Sequence, residues 1–274
     1  MSEKLKLLCV LAHPDDESLG MGGTLAKCAS EGIETFLVTA TRGERGRFGD
    51  AKIKPEMRVV GETRERELLR AAKELGIREV RFLDYIDGDL DRADPVEAQD
   101  KIAEHIRQIR PQVVATFGPE GAYGHPDHIA ISQLATAALL RAADPDCGTG
   151  TGSEPHRVSK FYYMEWSGPK WDAYQAALKR LVVTVDGVER QAAPWPDWEI
   201  TTVIDTQSVA DTVWRAVSCH ETQMGIYEQL GQLSEQHHRA LWGTQEFYRV
   251  FSTVNGGRKP ETDLFEGLRP KEEG

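Results

Sequence analysis

Along the first half of the chain, short apolar runs alternate with longer stretches whose apolar positions recur every three or four residues. Residues 7–12 form an unbroken apolar run ended by His13-Pro14, the pattern of a strand buried on both faces. Residues 18–31 read as a helix, with Leu19, Gly22, Gly23, Ala26 and Ala29 as its apolar or small positions and Gly32 just past its end. The alternation continues with a strand at 35–40, a Gly- and charge-rich loop at 42–54 and a helix at 62–75 stopped by Gly76. It then gives a strand at 79–83, a helix at 95–109, a strand at 113–117 and a helix at 127–141.

Alternation of this kind predicts an α/β fold: a Rossmann-like, mostly parallel sheet with helices on both faces. The second half is less regular. It reads as a Gly/Thr/Ser-rich loop at 144–155, a strand at 160–166, a hairpin turning at Asp186-Gly187, a strand at 199–204 and a helix at 209–220. A single α/β domain is therefore expected over residues 1–255. Its part from about 160 to 255 is expected to be irregular or antiparallel and to lie on the substrate side, and 256–274 is expected to be a loose polar tail.

Composition narrows the function classes. The 274 residues are 40% hydrophobic and 28% charged, ordinary values for a globular protein. No run of about 18 apolar residues is present, so no membrane span is expected. Residues 1–10 lack the basic flank and cleavage site of a signal peptide, which points to a cytoplasmic protein. A net charge of −11 argues against nucleic acid as a partner. It does not exclude a neutral sugar as substrate and is compatible with a homo-oligomer. Cys9, Cys28, Cys147 and Cys219 form no C-x-x-C pair, so a metal would have to use histidine and carboxylate ligands.

Two motifs supply such ligands. Ala12-His13-Pro14-Asp15-Asp16-Glu17 falls where the first strand gives way to a helix, and Gly124-His125-Pro126-Asp127-His128 opens the helix after the fourth strand. The carboxyl ends of parallel strands are where ligand sites form in such sheets. Two histidines and a carboxylate are a common set for a hydrolytic zinc ion, with a nearby carboxylate free to move the water proton. Adjacent Asp15 and Asp16 cannot point the same way, so one can ligate while the other acts as base.

These marks resemble the LmbE-like, or PIG-L-type, deacetylase family. They are AHPDDE at 12–17, TRGERG at 41–46, RERELLRAAKELG at 64–76, FLDYIDG at 82–88, YGHPDH at 123–128 and HETQ at 220–223. The resemblance implies removal of the acetyl group from an N-acetylglucosamine-type conjugate by a zinc hydrolase. It makes His13, Asp16 and His128 the metal ligands and Asp15 the general base. It makes His125 an imidazolium that steadies the tetrahedral intermediate or protonates the leaving amine. Asp127 would orient His125 or a ligand, and Tyr123 would complete the oxyanion site. His220 and Gln223 would face the cleft.

Each residue also has a structural reading. Asp15 could simply cap a helix, and Glu17 neutralise a helix N-terminus or an arginine. Arg64 could hold a phosphate, carboxylate or sugar hydroxyl, or pair with Glu65 or Glu67. Asp87 could bind sugar hydroxyls or shape the turn at Gly88. His220 could sit at a helix C-terminus, and Tyr123 could be only a wall. Zn2+ is the expected cofactor, although the same ligands would accept Fe2+. The same metal site would serve an amidase cutting a larger amide, such as a thiol conjugate. A non-catalytic sugar- or nucleotide-binding module is the contrasting class. It is disfavoured because the first turn lacks G-x-G-x-x-G and carries acids where a phosphate would sit.

Overall fold

The computed structural model describes residues 4–147, 152–179, 182–185, 187–191, 193–257 and 259–269. Its main sheet has seven strands in the order β3-β2-β1-β4-β5-β9-β8. Strands β1 (Lys6–Leu11), β2 (Glu34–Thr41), β3 (Glu79–Tyr85), β4 (Val113–Phe117) and β5 (Lys160–Glu165) run parallel. Strands β9 (Thr244–Ser252) and β8 (Thr202–Asp205) extend the sheet antiparallel. A separate hairpin pairs β6 (Val183–Val185) with β7 (Val188–Arg190); residues 181 and 186 of the expected hairpin lie outside the described residues.

Strand β1 is paired on both sides, by β2 through Leu8↔Phe36 and by β4 through Leu8↔Val114. Every residue of β4 and all but Lys6 of β1 are buried, which explains their unbroken apolar runs. The chain steps outward one way from β1 to β3 and the other way from β4, so the order reverses between β1 and β4. Both histidine motifs leave the sheet at that switch point, where loops diverge and leave a crevice.

Helices flank the sheet. α4 (Pro95–Ile109) packs on α6 (Pro126–Ala143), while α2 (Gly22–Ser30) and α3 (Met57–Leu75) pack on α8 (Ala210–Ser218). α1 (Asp16–Leu19) and α5 (Gly121–Gly124) are single turns beside the crevice. A second apolar cluster, with Trp171, Tyr174, Val213, Tyr227 and Trp242, joins α8 to α7 (Gly168–Leu178), α9 (Met224–Gly231) and α10 (Glu235–Trp242).

Two expectations need correction. The single helix read at 18–31 is broken into α1 and α2. The Gln245 amide enters the break, donating to the Gly20 carbonyl at 2.9 Å and accepting from the Thr24 N–H at 2.6 Å. Nor is the stretch from 259 to 269 a loose tail. Glu261 exchanges backbone hydrogen bonds with Thr201 and Val203, and its carboxylate meets buried Lys160 at 2.7 Å. Leu264 and Phe265 are buried against the main core, worth roughly 1.5–3 kcal/mol each.

Candidate metal centre

The two His-Pro-Asp motifs meet. The imidazole of His13 follows β1 and that of His128 lies in the first turn of α6, with His13 Nδ1 3.1 Å from His128 Nε2. The Asp16 carboxylate reaches both, at 3.7 Å from His13 Nδ1 and 3.4 Å from His128 Nε2. Backbone N–H groups of Ala12 and His13 hold one oxygen of that carboxylate at 3.2 and 2.8 Å. Burial would raise the Asp16 pKa, but His128 and His13 outweigh it and hold the group well below the ordinary range.

The other nitrogen of His13 settles its tautomer. Nε2 lies 3.0 Å from an Asp127 oxygen and 3.2 Å from an Asp87 oxygen, both acceptors, so it carries the proton. Burial would lower the His13 pKa, but those carboxylates and Asp16 outweigh it and raise the pKa well above its ordinary value, while Nδ1 faces His128. Two imidazole nitrogens and a carboxylate facing one buried point can hold a cation, and a carboxylate–histidine hydrogen bond is the usual support of a metal-bound imidazole. The ring nitrogens of His13, His125 and His128 offer ligand atoms within 4.8 Å of one another. Asp127 is itself fixed by the backbone N–H groups of Gly88 (2.6 Å) and Leu90 (3.2 Å). Phe117 stacks on His128 with ring centroids 3.9 Å apart.

Asp15 turns the opposite way from Asp16. Its backbone is left-handed, at φ 108°, which costs a residue with a Cβ roughly 1–3 kcal/mol. The Glu17 carboxylate accepts the Asp15 N–H at 2.9 Å, and the N–H groups of Ser18 and Leu19 close on its carbonyl. The turn aims the side chain at Arg64, whose Nη2 donates to Asp15 Oδ2 at 2.7 Å. Burial raises the Asp15 pKa and outweighs the Arg64 charge. A carboxylate with raised pKa suits a base.

Several expectations change at this point. Arg64 pairs with Asp15, and with the Gly43 carbonyl at 3.0 Å, rather than with Glu65 or Glu67. Asp87 lines the cleft, yet its oxygens are turned to His13 Nε2 and the Arg45 N–H. Of the two roles expected for Asp127, its carboxylate takes the second, meeting His13, and only its backbone N–H meets His125. Burial, and then His128 and His13, push the His125 pKa down to about 3, which disfavours the expected imidazolium. Its Nδ1 accepts the Asp127 N–H at 3.2 Å, which leaves Nε2 as the protonated donor.

His220 is fully buried and bonds Glu17 at 2.8 Å, so it backs the Asp15 turn and does not face the cleft. Glu17 itself meets that histidine and not an arginine. Gln223 does line the cleft. Tyr123 is placed by a strained turn at Ala122 (φ 62°, ψ −73°), and its ring lies 5.5 Å from that of His128.

The cleft holds about 820 Å³ and brings together His13, Asp15, Asp16, Arg64, Asp87, Tyr123, His125 and His128. Trp166 and Tyr174, stacked at 4.4 Å, form part of its wall. Sequence reasoning passed over Tyr174 and Tyr227. Tyr227 stands four residues beyond the HETQ stretch, and no spacing rule ties it to Asp15.

Fold and site define an α/β protein with a His/Asp cluster able to hold a metal ion at the switch point of its sheet. Residues 8–139 match the PIG-L family, described as GlcNAc-PI de-N-acetylase. The chain is 34% identical to a 1D-myo-inositol 2-acetamido-2-deoxy-alpha-D-glucopyranoside deacetylase of Kineococcus radiotolerans, covering 98% of this chain and 85% of that protein. It is 29% identical to a mycothiol S-conjugate amidase of Streptomyces coelicolor, over 98% and 99% of the two chains. The fold is shared with N,N'-diacetylchitobiose deacetylase from Pyrococcus horikoshii, with a TM-score of 0.67 and 20% identity over 97% of this chain and 87% of that one. The chain belongs to the PIG-L, or LmbE-like, deacetylase family. Among the described residues no helix is long and apolar enough to cross a membrane.

Proposed function

We propose that this protein is a zinc-dependent hydrolase that removes the N-acetyl group from an N-acetylglucosamine conjugate, releasing acetate and a free amine. The observation that carries the reading is the convergence of His13 Nδ1, His128 Nε2 and the Asp16 carboxylate beside Asp15 in one cleft. Bonds of about 2.0–2.1 Å in a tetrahedral zinc site place neighbouring donors about 3.3–3.4 Å apart. His13 Nδ1 and His128 Nε2 lie 3.1 Å apart, near that spacing, and the two Asp16 oxygens approach them separately, Oδ2 at 3.7 Å from His13 Nδ1 and Oδ1 at 3.4 Å from His128 Nε2.

Zinc held by His13, Asp16 and His128 would supply Lewis acidity to the amide carbonyl and to the attacking water. Asp15 takes the proton of that water through Oδ1, the oxygen with no hydrogen bond among the described residues. His125 donates through Nε2–H to the oxygen of the tetrahedral adduct, as a neutral donor. Tyr123 lies beside both imidazoles with no hydrogen bond to its hydroxyl among the described residues, so it can donate to the same oxygen. Asp15, now protonated, returns the proton to the leaving amine. Arg64 and Asp87 act through Asp15 and His13 rather than by gripping the sugar. The kinship with a 1D-myo-inositol 2-acetamido-2-deoxy-alpha-D-glucopyranoside deacetylase favours an inositol-linked amino sugar as substrate.

A second reading, an amidase for a larger acyl group, is favoured by kinship to a mycothiol S-conjugate amidase and by the Leu19, Met164, Trp166 and Tyr174 wall of the cleft. The metal-loaded protein, offered a panel of N-acyl glucosamine conjugates, decides between them by mass spectrometry. Acetate from an N-acetyl substrate supports the first reading, and preference for longer acids supports the second. Release of neither overturns both.

A further inference from the structure

Tyr227 belongs to α9, in the irregular last third of the chain, and to none of the histidine motifs. Its ring is buried in the cluster of Trp171, Tyr174 and Trp242, while one edge lines the cleft. Its hydroxyl donates to Asp15 Oδ2 at 2.7 Å. Arg64 Nη2 donates to the same oxygen, also at 2.7 Å. The two donors come from α3 and α9, far apart in sequence, and each is anchored independently. Arg64 is tied to the carbonyls of Gly43 and Pro14, and Tyr227 is held by its packed ring.

A carboxylate free to rotate about its last bond offers either oxygen and a range of directions. One gripped through a single oxygen by two fixed donors offers only the other, in one direction. Holding a reacting group in its working geometry is a large part of catalysis, and a misplacement of about 1 Å can cost on the order of 100-fold in rate.

We propose that Tyr227 is a positioning residue: its hydroxyl, together with Arg64, holds Asp15 Oδ2 so that Oδ1 receives the proton of the attacking water. The inference rests on the reading of Asp15 as the base. It concerns the hydroxyl alone, because phenylalanine at this position keeps the packed ring and removes only the donor.

The test is Tyr227→Phe in the metal-loaded protein, assayed on an N-acetylglucosamine conjugate. A fall of roughly 10- to 100-fold in kcat is expected, with KM within about twofold and bound metal unchanged. A crystal structure of the same variant should show the Asp15 carboxylate turned away from its wild-type orientation. Wild-type kcat in the Phe variant, or an unturned Asp15 carboxylate, would overturn the proposal. So would a rise in KM with kcat unchanged, which marks Tyr227 as a wall of the substrate site. Should the wild-type protein cleave no N-acyl amino sugar, the proposed function fails, and the orientation of Asp15 in the variant still decides the role of Tyr227.

Discussion

His13 Nε2 lies 3.0 Å from an Asp127 oxygen, and Asp127 is in turn held by two backbone N–H groups of the loop after β3. The hydrogen bond fixes the ring tautomer and makes the opposite nitrogen a better donor to a metal. Asp127→Asn should therefore lower zinc affinity by roughly 10- to 100-fold while the fold persists. Competition with a chromophoric chelator measures this directly. Unchanged affinity would show that Asp127 does not support the metal site.

Asp15→Asn keeps the size of the side chain and an oxygen for Tyr227 and Arg64, but it cannot accept the water proton. Its turnover should fall by roughly 100- to 10,000-fold, the range of general-base contributions. Zinc content by mass spectrometry should stay near that of the wild type, since the ligands are untouched. Loss of metal together with activity would place Asp15 in the coordination sphere instead.

Gly43 is held at φ 67°, and a Cβ there would lie 2.0 Å from Arg64 Nη1. Gly43→Ala should displace the guanidinium from Asp15 and strain the loop, destabilising by about 1–3 kcal/mol. Chemical denaturation measures the stability, and kcat should fall alongside it. A variant of wild-type stability and kcat would show that Arg64 tolerates displacement.

Glu165, 2% exposed at the end of β5, is pushed up to about 11, first by burial and then by Glu120 and Glu199. Because its folded pKa is raised, its stabilising contribution is complete below about pH 4.5 and is lost as pH rises from there toward 11. The loss is on the order of 3 kcal/mol at neutral pH. Glu165→Gln cannot ionise, so its stability relative to wild type should grow between pH 5 and pH 8. Urea denaturation at the two pH values measures it, and a pH-independent difference would contradict the assignment.

The parallel half of the fold was legible because buried strands such as β1 and β4 are apolar throughout and each is followed by a helix-period stretch. The candidate metal cluster was legible because two short motifs at strand ends carry His13, Asp16, His125 and His128. The grip on Asp15 was not, since it joins residues 15, 64 and 227 through tertiary packing that no local period reports. The break between α1 and α2 was hidden for the same reason: Gln245, more than 200 residues away in sequence, supplies its hydrogen bonds. His125 shows a further limit. A histidine in a motif advertises proton transfer, but only its burial beside two other imidazoles reveals that its pKa is pushed down.

Anomalous diffraction at the zinc absorption edge, on crystals of the protein grown with zinc, locates the ion itself. A single strong peak bonded to His13 Nδ1, His128 Nε2 and Asp16 is the expected result. A peak elsewhere in the cleft, or none at that point in zinc-saturated crystals, would contradict the account.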